Sequence, residues 1–137
     1  MKTAKSAVRA VMGLPPWTAT TPLLRQLNLM PISDRFEFRL LCLLYRCQNN
    51  LASPLLSSLF IRTSATSSYS TRGAVSGSLV LPEVRLNVRI LAFHGAVKWN
   101  SLPSLARSAS SFALFKQHCL SFLGYPVSRL QQSVGKP

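Results

Sequence analysis

The sequence predicts a mainly α protein, a small irregular helical domain with a short β-hairpin and a flexible Ser/Thr-rich loop. Three observations carry this expectation. Apolar residues recur at helical spacing from about Ser33 to Gln48 and again from Ser111 to Leu123. Pro and Gly punctuate the ends of such segments at Gly13, Pro31, Pro54, Pro103 and Gly124. At 137 residues and 47% hydrophobic content, the chain is long and apolar enough for one core rather than wholesale disorder.

The first segment, Met1 to Met12, sets Ala4, Ala7, Val8, Val11 and Met12 at helical spacing, with Lys2, Lys5 and Arg9 on another face. It reads equally as an amphipathic helix stopped by Gly13 and Pro15-Pro16, or as a mitochondrial transit-like leader. Thr21-Pro22 reads as an N-cap followed by Pro in the first helical position, opening a short helix to about Asn28. Ser33 or Asp34 starts the longest helix, which runs to about Gln48. Phe36, Leu40, Leu43, Leu44 and Cys47 lie on one stripe of it, and Arg35, Arg39 and Arg46 on another. Asn49-Asn50 stops this helix, and Pro54 opens a short one to about Phe60.

From Arg62 to Ser78, nine of seventeen residues are Ser or Thr, and little apolar burial offsets the entropy of ordering them. Beyond this loop, Leu79 to Leu81 and Leu86 to Ile90 lean towards β structure. Leu86, Val88 and Ile90 alternate with Arg85, Asn87 and Arg89, and the two runs can pair across Pro82-Glu83. A helix from Leu91 to about Asn100 follows, then a turn from Pro103 to Arg107. The last helix starts at Ser110 or Ser111, with Phe112, Phe115, Cys119, Phe122 and Leu123 on one face. The expected organisation is an N-terminal helical part (1–61), a linker (62–78), a hairpin-plus-helix part (79–124) and a loose tail (125–137).

Charge bounds the function. Sixteen Lys and Arg against three acids give +13 and favour a polyanionic partner, RNA or DNA first and an anionic membrane second. The same balance describes a solvated basic surface whose neutralising acids lie elsewhere in a larger protein. With only Asp34, Glu37 and Glu83, two-metal phosphoryl transfer has almost nothing to build on. Asp34 and Glu37, three apart at a helix start, suit capping.

Cys42, Cys47 and Cys119 make an odd count without a secretory signal, which favours reduced thiols. Their spacing with His118 is not that of a zinc site. No acid is positioned by sequence to orient His94 or His118 for nucleophilic catalysis. No cofactor and no metal are expected. The longest uninterrupted apolar run, Leu40 to Tyr45, is far too short for a membrane span.

One order of residues is not explained by composition. Trp99-Asn-Ser-Leu-Pro103, an Arg/Ser-bearing spacer and Ser111-Phe-Ala-Leu-Phe-Lys116 resemble the end of the open reading frames of non-LTR (LINE-type) retrotransposons, just after their reverse transcriptase. Leu27-Asn-Leu-Met-Pro-Ile-Ser-Asp-Arg35 resembles the family's Leu-x-x-Leu-Pro-Ile-x-x-Arg segment, with Met30 in place of a common Leu. Tyr45 to Pro54 resembles its Tyr-Lys-x-x-Asn-Gly-Leu-Ala-Pro run, with Asn50 replacing the Gly and Ser53 replacing the Pro. Tyr69 to Arg72, and Leu81-Pro82 with Arg85, follow in the family's order, so the resemblance covers about Thr21 to Leu123.

The resemblance implies a noncatalytic C-terminal fragment of an RNA-directed DNA polymerase, with at most residual basic RNA or DNA binding. Its Asp-Asp active site and endonuclease would belong to a missing upstream part, and its site would be the nucleus or cytoplasm. It also implies that basic residues help to hold template RNA and target DNA during target-primed reverse transcription. The candidate phosphate contacts are Arg35, Arg39, Arg46, Arg85, Arg89, Lys98 and Lys116. Trp99 is a candidate base-stacker, against the blander reading that it anchors a helix-to-turn junction, with Asn100 capping backbone near Pro103. The alternatives are a host-used basic nucleic-acid-binding protein and a small mitochondrial protein with a cleaved leader.

Overall fold

The computed structural model describes residues 2–27, 29–83 and 87–126, with the backbone alone for 2–4 and 87–89. Among these the protein is mainly helical, with nine helices and one isolated antiparallel bridge between Arg62 and Leu79. None of the helices is long and apolar enough to cross a membrane. The chain forms two compact units that divide at Phe36/Glu37, inside the longest helix.

The first unit holds α1 (Lys2–Val11), α2 (Thr20–Gln26) and the first turn of α3 (Ile32–Gln48). Gly13, at φ 62, ends α1 in the left-handed region, and the Leu14 N–H donates back to the Arg9 carbonyl at 2.9 Å. Helix α2 starts slightly earlier than Thr21-Pro22 suggests. Ala19 holds the N-cap place with extended backbone, Thr20 is buried, and Pro22 stands third in the helix, where its missing N–H is still one of the unpaired first amides. The expected end at Asn28 lies outside the described residues. The Pro31 carbonyl accepts from the Arg35 N–H at 2.9 Å, which begins α3. Asp34 stands in that first turn, at the positive end of the dipole, 3.5 Å from Arg25.

The second unit takes the rest of α3 with α4 (Pro54–Ser57), α5 (Thr63–Thr66), α6 (Arg72–Val75), α7 (Asn87–Ser101), α8 (Ser104–Arg107) and α9 (Phe112–Phe122). Its core is one cluster in which Trp99, Phe115, Leu41, Leu44, Leu79 and Cys119 are fully buried. Each such large side chain gains about 1.5–3 kcal/mol by leaving water. The buried face of α3 is Leu40, Leu41, Leu44, Tyr45 and Cys47, wider than the expected stripe and rotated from it, and Phe36 is exposed. The reason is that α3 meets two helices at once. Leu44 faces Gly95 of α7, where an added Cβ would come within 3.5 Å of Leu44 and 3.0 Å of Phe60. Tyr45 stacks on Phe115 of α9 with ring centroids 4.4 Å apart.

Asn50 ends α3 with φ 57, and the Leu51 N–H returns to the Arg46 carbonyl at 2.8 Å. Ser111 caps α9 as expected, its hydroxyl accepting from the Leu114 N–H at 3.2 Å, and Gly124 (φ 82) follows its last turn.

The expected hairpin does not form among the described residues. Asn87 to Ile90 are the first turn of α7, and Leu79 bridges to Arg62 instead. A two-stranded pair is marginal alone, whereas a longer α7 satisfies its backbone internally and continues the helix that buries Ala92, Ala96 and Trp99. The Ser/Thr-rich span is a loop with two single-turn helices, α5 and α6, tied at its base. The Thr63 N–H donates to the Ser78 carbonyl at 3.0 Å, and the Val80 N–H to the Ile61 carbonyl at 2.8 Å. The expected tail from Val127 lies outside the described residues.

Candidate nucleic-acid interface

The Trp99-Asn100 pair closes the Ser/Thr-rich loop. Trp99 is buried, stacks on Phe115 at 5.8 Å and donates its indole N–H to the Gly77 carbonyl at 3.0 Å. It therefore offers no face to a base. Asn100 does not cap the backbone near Pro103. Its side chain crosses to Leu79, accepting from the N–H at 2.8 Å and donating to the carbonyl at 2.9 Å. Arg107 completes the contact by donating to the Ser78 hydroxyl at 2.8 Å. Leu102 and Ala106 are buried beneath, and Pro103 takes the N-cap place of α8. Trp99, Asn100 and Leu102 are thus taken up by packing and loop closure, while Ser101 stays exposed and donates to the Lys98 carbonyl at 2.7 Å.

Of the seven candidate cations, four have described side chains in the second unit: Arg39, Arg46, Lys98 and Lys116. Arg85 lies outside the described residues, as does the side chain of Arg89. Arg35 is exposed in the first turn of α3, within the first unit. Lys98 is neutralised: its Nζ donates to Glu37 Oε2 at 2.9 Å, so Glu37 serves an ion pair rather than sharing the capping with Asp34. Arg39 and Arg46 are exposed on α3. Their spacing of seven residues puts them about 20° apart around the axis and about 10.5 Å apart along it.

Arg46 and Lys116 are brought together by Phe112. The guanidinium carbon of Arg46 sits 4.9 Å from the centre of the Phe112 ring, and Lys116 Nζ sits 4.4 Å from the same centre. Phe112 and Lys116 are four apart on α9, hence neighbours on its surface. Tyr45, next to Arg46 on α3, stacks on Phe112 at 5.6 Å and donates its hydroxyl to the Ala109 carbonyl at 3.0 Å, which sets the α3–α9 register. Among the described residues, neither Arg46 nor Lys116 meets a carboxylate.

The chain matches no protein-family model, no curated protein and no solved structure.

The thiols lie beside this surface. Burial raises the Cys42 thiol above its ordinary value, and Lys116 and then Arg46 pull it back. Cys119 is fully buried and pushed up to about 12, by burial first and by Cys42 second, so it remains a thiol at neutral pH. Among the described residues, no three of His, Cys, Asp and Glu come together as metal ligands would. Sequence reasoning named Arg46 and Lys116 but missed Phe112 as the group that gathers them. The available signal was the Phe112/Lys116 spacing, which by itself says nothing of a helix 66 residues earlier in the chain.

Proposed function

We propose that this chain is a noncatalytic, basic helical domain that holds nucleic acid, of the kind that follows the polymerase in LINE-type retrotransposon proteins. One observation carries the binding half of this reading. Arg46 from α3 and Lys116 from α9 converge on one ring without a carboxylate among the described residues, while Asp34 and Glu37 are engaged by Arg25 and Lys98. Two such cations on a packed helix pair can neutralise phosphates by releasing their counterions. Arg39, two turns before Arg46 on α3, extends the same surface.

The lineage half rests on the order of the motifs from Leu27 to Lys116. In this reading the polymerase aspartates belong to the upstream part of such a protein, and this chain contributes grip rather than chemistry.

Fluorescence anisotropy of the full chain with 20-nucleotide RNA and DNA strands tests the binding. With about two or three phosphates neutralised, affinity falls roughly 7- to 20-fold between 50 and 200 mM salt. Salt-independent or absent binding overturns it. The lineage is tested by translating the genomic DNA upstream of the Met1 codon. An in-frame Tyr/Phe-x-Asp-Asp polymerase motif supports it, and an unrelated spliced exon there removes it.

A further inference from the structure

We propose that Arg46, Lys116 and Phe112 form a single phosphodiester site, in which one backbone phosphate is shared by the two cations and no base is stacked. This rests on the nucleic-acid reading above and specifies what its central contact recognises.

Three features point to a shared anion. The distances from the Phe112 ring centre, 4.9 and 4.4 Å, hold the two charges no more than about 9 Å apart. The upper limit is reached only with the ring between the charges; a shared phosphate requires both on the outer side of the ring, where their separation is shorter. Arg46 supplies a planar fork of N–H donors suited to two phosphate oxygens, and Lys116 a compact charge that can approach from another direction. Burial raises the Cys42 thiol, and Lys116 and Arg46 both pull it back, in keeping with the two cations lying on this side of α3. The ring's electron-rich face offsets part of the repulsion between them, and a bound anion would offset the remainder.

The same geometry argues against base stacking. Phe112 is half-buried, carries both cations within 5 Å of its centre and stacks on Tyr45. Trp99 is buried, and Tyr45 and Phe115 are in the core. A base would have to displace a cation that the phosphate needs. Recognition here is therefore of the sugar-phosphate backbone, without sequence preference.

The test measures binding of the full chain to a fluorescein-labelled 20-nucleotide DNA strand and to an abasic strand of the same length. Arg46→Gln, Lys116→Gln and the double variant are compared with the unmodified chain, with circular dichroism to establish their helix content. Each single change is expected to weaken binding about tenfold, and the double change no more than about threefold beyond the weaker single, because the two side chains hold one ligand. The abasic strand is expected to bind within twofold of the ordinary one. Lys116→Arg, which keeps the charge, is expected to retain binding even if Lys116→Gln loses helix.

A double variant weakened by the product of the singles, about 100-fold, would mean two separate phosphates and would overturn the shared site. A tenfold loss on the abasic strand would mean that bases are read and would overturn it too. If salt-dependent binding persists undiminished in the double variant, the site is wrong while the nucleic-acid reading stands. If the unmodified chain binds neither strand, both fall.

Discussion

Asn100 holds Leu79 by both of its backbone groups, at 2.8 Å to the N–H and 2.9 Å to the carbonyl. On the other side of the same segment, Ser78 and Val80 bond to Thr63 and Ile61, so the Leu79 groups point away from that pairing. The amide of Asn100 stands where a third strand would be, with one acceptor and one donor at the required places. Leu79 is nearly inaccessible to water, which makes those two bonds costly to lose.

Asn100→Ala should therefore destabilise the protein by about 2–4 kcal/mol, since it strands a buried donor and a buried acceptor together. Asn100→Asp keeps an acceptor for the Leu79 N–H but sets a carboxylate oxygen against the Leu79 carbonyl, and should cost a comparable amount at neutral pH. Urea denaturation of the full chain followed by circular dichroism measures both. A change under about 0.5 kcal/mol in either variant would show that the clamp is not formed.

Asn50 occupies the left-handed region at the end of α3, where Asn is tolerated and Gly is unstrained. Asn50→Gly should leave stability unchanged or raise it by up to about 1 kcal/mol, and Asn50→Val should lower it by about 1–2 kcal/mol because a β-branched residue is strained at φ > 0. Midpoints of thermal unfolding, rising or level for the first and falling for the second, check the sign.

The Glu37–Lys98 pair is partly exposed, with side-chain accessibilities of 21% and 46%. Screening by water limits its worth to about 1 kcal/mol or less. Glu37→Gln should barely move the unfolding midpoint, yet it releases Lys98 as a free cation and should tighten binding of a DNA strand a few-fold at 50 mM salt. Unchanged affinity would place Lys98 away from the bound strand.

The buried Cys119 thiol, raised to about 12, adds a dependence on alkaline pH. An unfolded cysteine ionises near pH ~8.5, so above that value the unfolded chain releases a proton that the folded one retains. Stability from this group is complete below the unfolded value and is lost as pH rises towards 12. Between pH 7.5 and 10 the loss should be about 2 kcal/mol, read as the difference between the unmodified chain and Cys119→Ala in urea titrations. The same burial predicts that Cys42, which is only half-buried and lies near two cations, is alkylated before the fully buried Cys119. Mass spectrometry of partially labelled protein would show the order.

Much of the fold is legible in the sequence because helix limits are local. Gly13, Pro54, Ser111 and Gly124 mark ends that follow from the conformations and hydrogen bonds of their own neighbours. The alternation Leu86, Val88, Ile90 misleads because it is short, and a five-residue pattern cannot show that the backbone from Asn87 onward belongs to a fifteen-residue helix. The Arg stripe of α3 is likewise visible in the sequence, but its counterpart on α9 is not.

What the sequence by itself determined is the mainly helical class, the placing of most helices, and a charge that suits a polyanion. The tertiary structure alone decided which cations are left for one. Lys98 is neutralised by a residue 61 positions away, Arg46 meets Lys116 across Phe112, and Trp99 and Asn100 turn inward to close a loop. The physical reason is that helix limits are set by neighbours within a turn. Exposure and charge pairing are instead set by side chains that only packing brings together.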